Sequence, residues 1–196
     1  MSAYLQDIHS AAFSGVNHAI KYHLKRSSLD IVKSRNGQGE TPLMCAIQGK
    51  NLRALELILD YLDGTDHEKS TLNASDSIYQ WTSLHWIADI GTEEIFGLFF
   101  DRKRAQIISI DAKDVVGATP LHHAIRLDNK PIIYCLVEQG ANINEQDNWG
   151  LTPLHYAYKY NNEQSIDLLL ESGADKTKRD FRGRRPIDMK NFNKVP

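Results

Sequence analysis

Thr119-Pro120-Leu121-His122 lies in the second half of the chain, and the same phrase or a close variant occurs three more times. The other copies are Thr41-Pro42-Leu43, Thr82-Ser83-Leu84-His85 and Thr152-Pro153-Leu154-His155. The leading threonines are 41, 37 and 33 residues apart. Self-similarity at such a period predicts a stack of small supersecondary units, which has a long surface and usually no deep pocket.

The residues around each copy predict a turn followed by two helices. A glycine stands two residues ahead of the threonine at Gly39, Gly117 and Gly150, where a tight turn can use positive φ without steric cost. Threonine followed by proline is typical of a helix start, because the hydroxyl can cap free N–H groups and the ring is already set for the first turn. A second amphipathic segment follows, as at residues 132–137, and ends at a glycine such as Gly140.

This pattern resembles the ankyrin repeat family, whose units read as a turn, Gly-x-Thr-Pro-Leu-His-x-Ala, two helices and Gly-Ala-Asp-x-Asn. Residues 114–175 match it nearly residue by residue, and the resemblance extends more loosely over almost the whole chain. It implies an all-α fold, an ankyrin-repeat solenoid of stacked antiparallel helix pairs with protruding β-hairpin-like turns. We predict a single ankyrin-repeat domain over residues 1–196, with units at about 1–35, 36–76, 77–113, 114–146 and 147–179 and a partial unit at 180–196.

Two features depart from the family pattern. In the 77–113 unit Gln80 replaces the turn glycine and Ser83 replaces the proline, so we expect an altered turn there. The two wider spacings exceed the family period of about 33 residues. The extra residues fall at 63–70, which we predict to be a surface loop, and near 102–106, which is basic. These segments are either tolerated elongations of flexible loops or insertions with a function.

Composition limits the class of protein. The chain has 196 residues, of which 41% are hydrophobic and 24% charged, as in ordinary soluble proteins. A net charge of −2 argues against generic nucleic-acid binding, and no apolar run approaches the roughly 18 residues of a membrane span. Cys45 and Cys135 lie in different units, so we expect no disulfide and a reducing compartment. We expect a monomeric cytoplasmic protein; a nuclear protein, or one delivered into a host cell, would look the same.

We expect no enzymatic activity, no cofactor and no metal. His122 and His123 are adjacent on a helix and therefore point in different directions, which makes a poor two-ligand site. A histidine recurs at the same place in His85, His122 and His155, and in the resembling family this residue ties neighbouring loops together. Met44 replaces it in the 36–76 unit, where that tie should be missing. No phosphate-binding glycine loop or hydrolase motif is present in the sequence.

In the resembling family, the turn tips and the exposed face of the first helix form a concave surface that binds protein partners. Turn tips are normally polar, whereas these are apolar and aromatic, and Trp, Tyr and Arg are the side chains that most often anchor interfaces. By position, the predicted partner-binding residues are Tyr79, Trp81, Val116, Arg126, Leu127, Trp149, Leu151, Lys159, Tyr160, Phe181, Arg182 and Arg184. The alternative is that the aromatic residues pack sideways and stiffen the array. Trp86 lies inside a first helix and is assigned to packing.

The predicted function is therefore non-catalytic recognition of a protein partner. One alternative is an inhibitor or regulator that masks an enzyme or a transcription factor, and a distant one is an enzyme with an unrecognised site. The resemblance also implies a possible asparagine hydroxylation at Asn144, the last asparagine of the phrase that begins at Gly140. The competing interpretation is that Asn144 forms hydrogen bonds within its own loop.

Overall fold

The computed structural model describes residues 7–26, 30–101 and 103–191. Within these ranges the regular structure is helical, and the β pairing is limited to an isolated bridge between Ser75 and Thr82. The α-helices are α1 (Ile8–Ser14), α2 (Asn17–Arg26), α3 (Asp30–Lys33), α4 (Pro42–Gln48), α5 (Leu52–Leu62), α6 (Glu68–Leu72), α7 (Ser83–Ile90), α8 (Glu93–Phe99), α9 (Pro120–Arg126), α10 (Lys130–Glu138), α11 (Pro153–Tyr160) and α12 (Glu163–Glu171). Two 3₁₀ helices span Arg104–Gln106 and Pro186–Asn191. The all-α prediction is confirmed.

The chain divides into two compact units, residues 1–109 and residues 110–196. In the first unit, α1, α4 and α7 pack in sequence as one layer, and α2, α5 and α8 pack as a second layer. In the second unit, α9 packs on α11 and α11 on the 3₁₀ helix Pro186–Asn191, while α10 packs on α12. This is the predicted stacking of helix pairs, and the boundaries of the individual repeats stay a prediction.

The first helices α4, α7, α9 and α11 each begin directly after a threonine, as the sequence predicts, whereas α1 begins directly after Asp7. At α11 the hydroxyl of Thr152 accepts the N–H of His155 at 3.4 Å, and the N–H of Thr152 donates to Nδ1 of His155 at 3.1 Å. Thr82 and Thr119 make the same N–H bond to the histidine three residues later. These paired bonds satisfy backbone donors that a helix N-terminus otherwise leaves free, so the repeated phrase sets where the helices start.

Close helix contacts depend on a repeated alanine. Ala46, Ala88, Ala124 and Ala157 occupy equivalent places in α4, α7, α9 and α11, and each is 0% exposed. A larger side chain at any of them would have to displace packed neighbours, which typically costs 1–3 kcal/mol.

The two segments that lengthen the repeats are joined to each other within the first unit. Residues 63–70 were predicted to form a loop, but α6 begins at Glu68, so the end of this segment is helical. Glu68 accepts a hydrogen bond from Nε of Arg104 at 3.1 Å, and the two side chains are only 13% and 8% exposed. Arg104 also donates to Asp101 and to the carbonyl of Leu98. The two insertions therefore form one structured element; Arg102 lies outside the described residues.

The partial last repeat packs on the repeat before it. The 3₁₀ helix Pro186–Asn191 packs against α11, and Met189 is 3% exposed. No helix in the described part of the chain has the length and apolar character that crossing a membrane requires.

Candidate partner-binding surface

In each turn tip of the second unit, a buried aspartate accepts hydrogen bonds from backbone N–H groups of the turn. These aspartates were not predicted from the sequence. Oδ1 of Asp147 accepts the N–H groups of Trp149 and Leu151 at 2.9 and 2.8 Å. Asp114 and Asp180 bind their own turns in the same way. The signal was present, because an aspartate lies five residues ahead of Thr119, Thr152 and Arg185 alike.

The second oxygen of each carboxylate binds a side chain that follows the turn. Oδ2 of Asp114 lies 2.9 Å from Nε2 of His123, and Oδ2 of Asp147 accepts the hydroxyl of Tyr156 at 3.0 Å. Burial alone would raise the pKa of Asp114, but the hydrogen bonds from His123 and the backbone hold that pKa below its ordinary value. Burial and the neighbouring Asp147 raise the pKa of Tyr156, which stays protonated and donates. The tips are thus rigid before any partner arrives, which lowers the entropy cost of binding.

Adjacent tips of the second unit are also linked to one another. The N–H of Asn148 donates to the carbonyl of Val116 at 3.0 Å, and the N–H of Phe181 donates to the carbonyl of Trp149 at 3.0 Å. Gly150, at φ +77°, permits this approach, since a Cβ there would lie 2.7 Å from Cδ1 of Phe181. The tips of the second unit therefore form a continuous row.

The repeated histidines tie neighbouring turns together. His122 accepts the N–H of Thr119 at Nδ1, so Nε2 carries the proton and donates to the carbonyl of Leu151 at 3.1 Å. His155 donates in the same way to the carbonyl of Arg184 at 3.0 Å. Burial lowers the pKa of His122 to about 4 and also lowers the pKa of His155. Both nitrogens of His122 are occupied, so it cannot form a metal site with His123.

The tip of the 77–113 repeat differs from the others. Its aspartate, Asp76, lies six residues ahead of Thr82 rather than five, and Gln80 takes a positive φ of 57°. The extra residue leaves Tyr79 52% exposed but draws Trp81 into a partly buried position. The Trp81 ring lies 5.6 Å from Tyr79 and 4.8 Å from Trp86, measured between centroids. The stiffening interpretation thus has direct support at Trp81, and Trp86 packs as expected.

The predicted partner-binding residues of the second unit differ in how far their side chains are exposed. Trp149 is 52% exposed and Phe181 74%. Tyr160, Leu127 and Arg182 are also exposed, whereas Val116, Arg126, Lys159 and Arg184 are partly buried. Leu151 was expected at an exposed tip, but it is 7% exposed because its N–H faces Asp147 and its side chain turns inward.

Six of the predicted residues line one cavity of about 340 Å³ in the second unit. They are Trp149, Leu151, Lys159, Phe181, Arg182 and Arg184. Tyr156, Met189 and Asn148 complete the lining. Asn148 belongs to the same turn tip as Trp149, and Tyr156 and Met189 were not predicted. Tyr160, Arg126, Leu127 and Val116 are not part of this lining. Most residues that line this cavity, including the buried Leu151, were therefore among the predicted partner-binding residues.

Basic groups surround this cavity. Nζ of Lys159 lies 5.9 Å from the ring centroid of Tyr156 and 5.3 Å from that of Tyr160, within the range of cation–π attraction. Arg184 pairs with the buried Asp180 at 2.6 Å. Among the described residues, the lining contains no acidic side chain.

The remaining candidates form no reactive site. Burial, with a smaller contribution from nearby Glu40, raises the pKa of the Cys45 thiol to about 12, so it is protonated and unreactive at neutral pH. Cys45 is a buried thiol and Cys135 is a partly buried one. The described residues contain no group of three or more His, Cys, Asp or Glu side chains that could hold a metal ion.

Asn144 joins two loops in the second unit. Its Oδ1 accepts the N–H of Asp175 at 2.8 Å, and its Nδ2 donates to the carbonyl of Gly173 at 3.3 Å. Asn144 thus has a structural role, but its side chain bonds the following loop rather than its own loop, which differs from the competing interpretation. Its hydroxylation stays a prediction that mass spectrometry of the native protein would test.

Comparison with known proteins places this geometry among repeat proteins. A family model described as ankyrin repeats (3 copies) matches residues 8–111 and 84–180. A crystal structure of an ankyrin repeat domain from Acinetobacter baumannii AYE superposes with a TM-score of 0.77 and 25% identity, over 95% of this chain and 91% of that chain.

A curated relative, the transient receptor potential cation channel subfamily A member 1 of Drosophila melanogaster, is 27% identical over 116 residues. The match covers 59% of this chain but only 9% of the channel, so it compares a small part of that protein with this one.

Proposed function

The chain belongs to the ankyrin repeat family, and we propose that it recognises a protein partner through the turn tips and first-helix faces. Ankyrin repeats are generally protein–protein interaction modules, and the fold is typically a non-enzymatic scaffold. The observation that supports this function best is the exposure of Trp149 and Phe181 over a cavity that six of the predicted residues line. Large aromatic side chains held rigidly at the edge of a pocket are typical interface anchors.

Tyr79 and Trp81 belong to the same proposal but to the first unit, where Tyr79 is the more exposed of the two. We propose that Tyr79 contacts the partner directly and that Trp81 mainly supports it by ring packing. Val116, Arg126, Leu127 and Tyr160 contribute contacts outside the cavity.

Site-specific photo-crosslinking tests the proposed surface. A benzoylphenylalanine replaces Trp149 in one variant and Tyr134 in the control, because Tyr134 is equally exposed at 53% but lies on α10 and does not line the cavity. We expect one protein to be crosslinked at Trp149 in cells of the native host and not at Tyr134. The purified partner should then bind the Trp149→Ala variant at least about tenfold more weakly than the Tyr134→Ala variant.

Equal crosslinking and equal affinity for the two variants would refute the proposal. If the partner is an enzyme, its activity in the complex distinguishes an adaptor from an inhibitor. We further propose that the chain is a monomer, and that it resides in a reducing, cytoplasmic-type compartment, which its two cysteine thiols support. Light scattering and fractionation of the native cell test these two points.

A further inference from the structure

The end of the second unit carries a local excess of positive charge that the whole chain does not share. Residues 176–190 contain seven basic and two acidic side chains, although the net charge of the chain is −2. Both acids already have basic partners, because Asp180 pairs with Arg184 and Asp188 with Arg185.

Two other basic side chains of this segment, Lys178 and Arg179, interact with the carboxylates of Asp175 and Asp188 and also bond carbonyl groups. Lys178 donates to the carbonyl of Asn144, and Arg179 donates to the carbonyl of Gly183. The Arg182 guanidinium makes no ion pair within the ranges described, and it is exposed at the edge of the cavity. Like charges gathered in this way raise the local concentration of an anionic partner.

The cavity itself supplies an apolar site beside this charge. Tyr156, Leu151 and Met189 form a lining that is 8%, 7% and 3% exposed, and the rings of Trp149 and Phe181 stand above it. Its volume of about 340 Å³ lies at the lower end of the range for ligand pockets. A volume of this size fits one large apolar side chain and its neighbours rather than a folded domain.

We propose that this cavity binds an acidic peptide segment of the partner, with a large apolar side chain in the cavity and flanking carboxylates that face Arg182 and Lys159. The inference rests on the proposed function and specifies the chemistry of the partner. Two observations select this occupant: the described part of the lining contains Lys159, Arg182 and Arg184 but no carboxylate, and the acids of residues 176–190 already have basic partners.

Four fluorescein-labelled peptides of ten residues separate the two parts of the proposal. They combine either a Leu-Phe or an Ala-Ala centre with either glutamate or glutamine flanks, and fluorescence anisotropy measures their binding to the full chain. We expect the peptide with Leu-Phe and glutamate to bind about tenfold more tightly than either peptide that lacks one feature. Its affinity should fall as salt rises from about 50 to 500 mM, because exposed charges are screened.

Matched variants locate the binding site. Arg182→Glu should weaken binding of the acidic Leu-Phe peptide about tenfold or more. Lys176→Glu makes the same change in charge at an exposed position outside the cavity, and should weaken binding less than about threefold. Trp149→Ala should also weaken binding at least tenfold, and circular dichroism with thermal unfolding checks that it remains folded.

Several results would overturn the inference. Equal binding of the glutamine-flanked peptide, with no effect of Arg182→Glu, would refute the acidic preference while leaving the proposed function intact. Equal competition by a 20-nucleotide oligo-dT or by phosphatidylserine vesicles, with no effect of Trp149→Ala, would show non-specific polyanion binding instead. If no peptide bound at about 100 µM, the inference would be wrong, and the crosslinking experiment would still decide the proposed function separately.

Discussion

Acidification should destabilise the fold through His122, and the size of the effect follows from its burial. The side chain is 0% exposed, its Nε2 donates to the carbonyl of Leu151, and burial lowers its pKa to about 4 from an ordinary value of 6.5. Above pH 6.5 the imidazole is neutral in both the folded and the unfolded chain, so it adds no pH dependence there. Below pH 6.5 the His122 imidazole binds a proton in the unfolded chain but stays neutral in the folded chain. The free energy of unfolding therefore falls as the pH falls towards 4.

The magnitude is about 1.4 kcal/mol for each pH unit in this window, or about 2 kcal/mol between pH 6.5 and pH 5. For a chain of this length, that change lowers the melting temperature by about 4–8 °C. His155 adds to the loss in the same direction, since burial lowers its pKa as well. Over this range few ordinary carboxylates take up protons, so the histidines dominate the slope.

The matched variant is His122→Gln, which does not titrate and can still accept the N–H of Thr119 as the third residue of a capping box. It should be less stable than the wild type at pH 7.5, because the bond to the carbonyl of Leu151 is lost. Between pH 6.5 and 5, however, its stability should fall by about 2 kcal/mol less than that of the wild type. Urea unfolding monitored by circular dichroism at four pH values measures both slopes. Equal slopes, or a native-state NMR pKa near 6.5 for His122, would refute this reasoning.

Two further predictions concern packing and backbone conformation. Arg104→Met removes the cationic partner of the largely buried Glu68, which keeps the N–H of Gly64, and should cost about 3 kcal/mol in urea unfolding. Lys103→Ala, in an exposed pair, should cost less than about 1 kcal/mol. Similar losses in the free energy of unfolding for the two variants would argue against a stabilising contact between the segments around Glu68 and Arg104. Gly150→Ala should lower the free energy of unfolding by about 1–3 kcal/mol because of its positive φ and the blocked tip contact. Gly97→Ala, in open space within α8, should raise the free energy of unfolding by about 0.5–1 kcal/mol. Thermal unfolding measures both variants, and a more stable Gly150→Ala or a less stable Gly97→Ala would contradict the prediction.

The positions of helix starts and turns could be predicted because their causes are local. The hydroxyl of Thr152 and the ring of Pro153 act within one helical turn, and the positive φ of Gly150 belongs to a single residue. The buried aspartates could also have been found from the sequence, since Asp114, Asp147 and Asp180 each lie six residues ahead of the first residue of their helix. They were missed because aspartate in a turn looks like an ordinary surface residue.

The joined insertions could not be predicted in the same way. Glu68 and Arg104 are 36 residues apart, and either charge alone is typical of an exposed loop. Only the packing of successive repeats brings the two side chains together and removes them from water.

Local chemistry thus sets the repeat, its register and the residues that stand near each tip, because caps, prolines and glycines act on their immediate neighbours. Exposure is different, since it depends on atoms supplied by the next repeat, about 33 residues along the chain. Folding buries Leu151 and leaves Trp149 and Phe181 exposed at the lining of one cavity, whereas Trp81 packs on Trp86 of its own repeat. The predicted partner-binding residues could be located from the sequence. Which of them are buried in the cavity lining and which stay exposed is decided by packing in the folded chain.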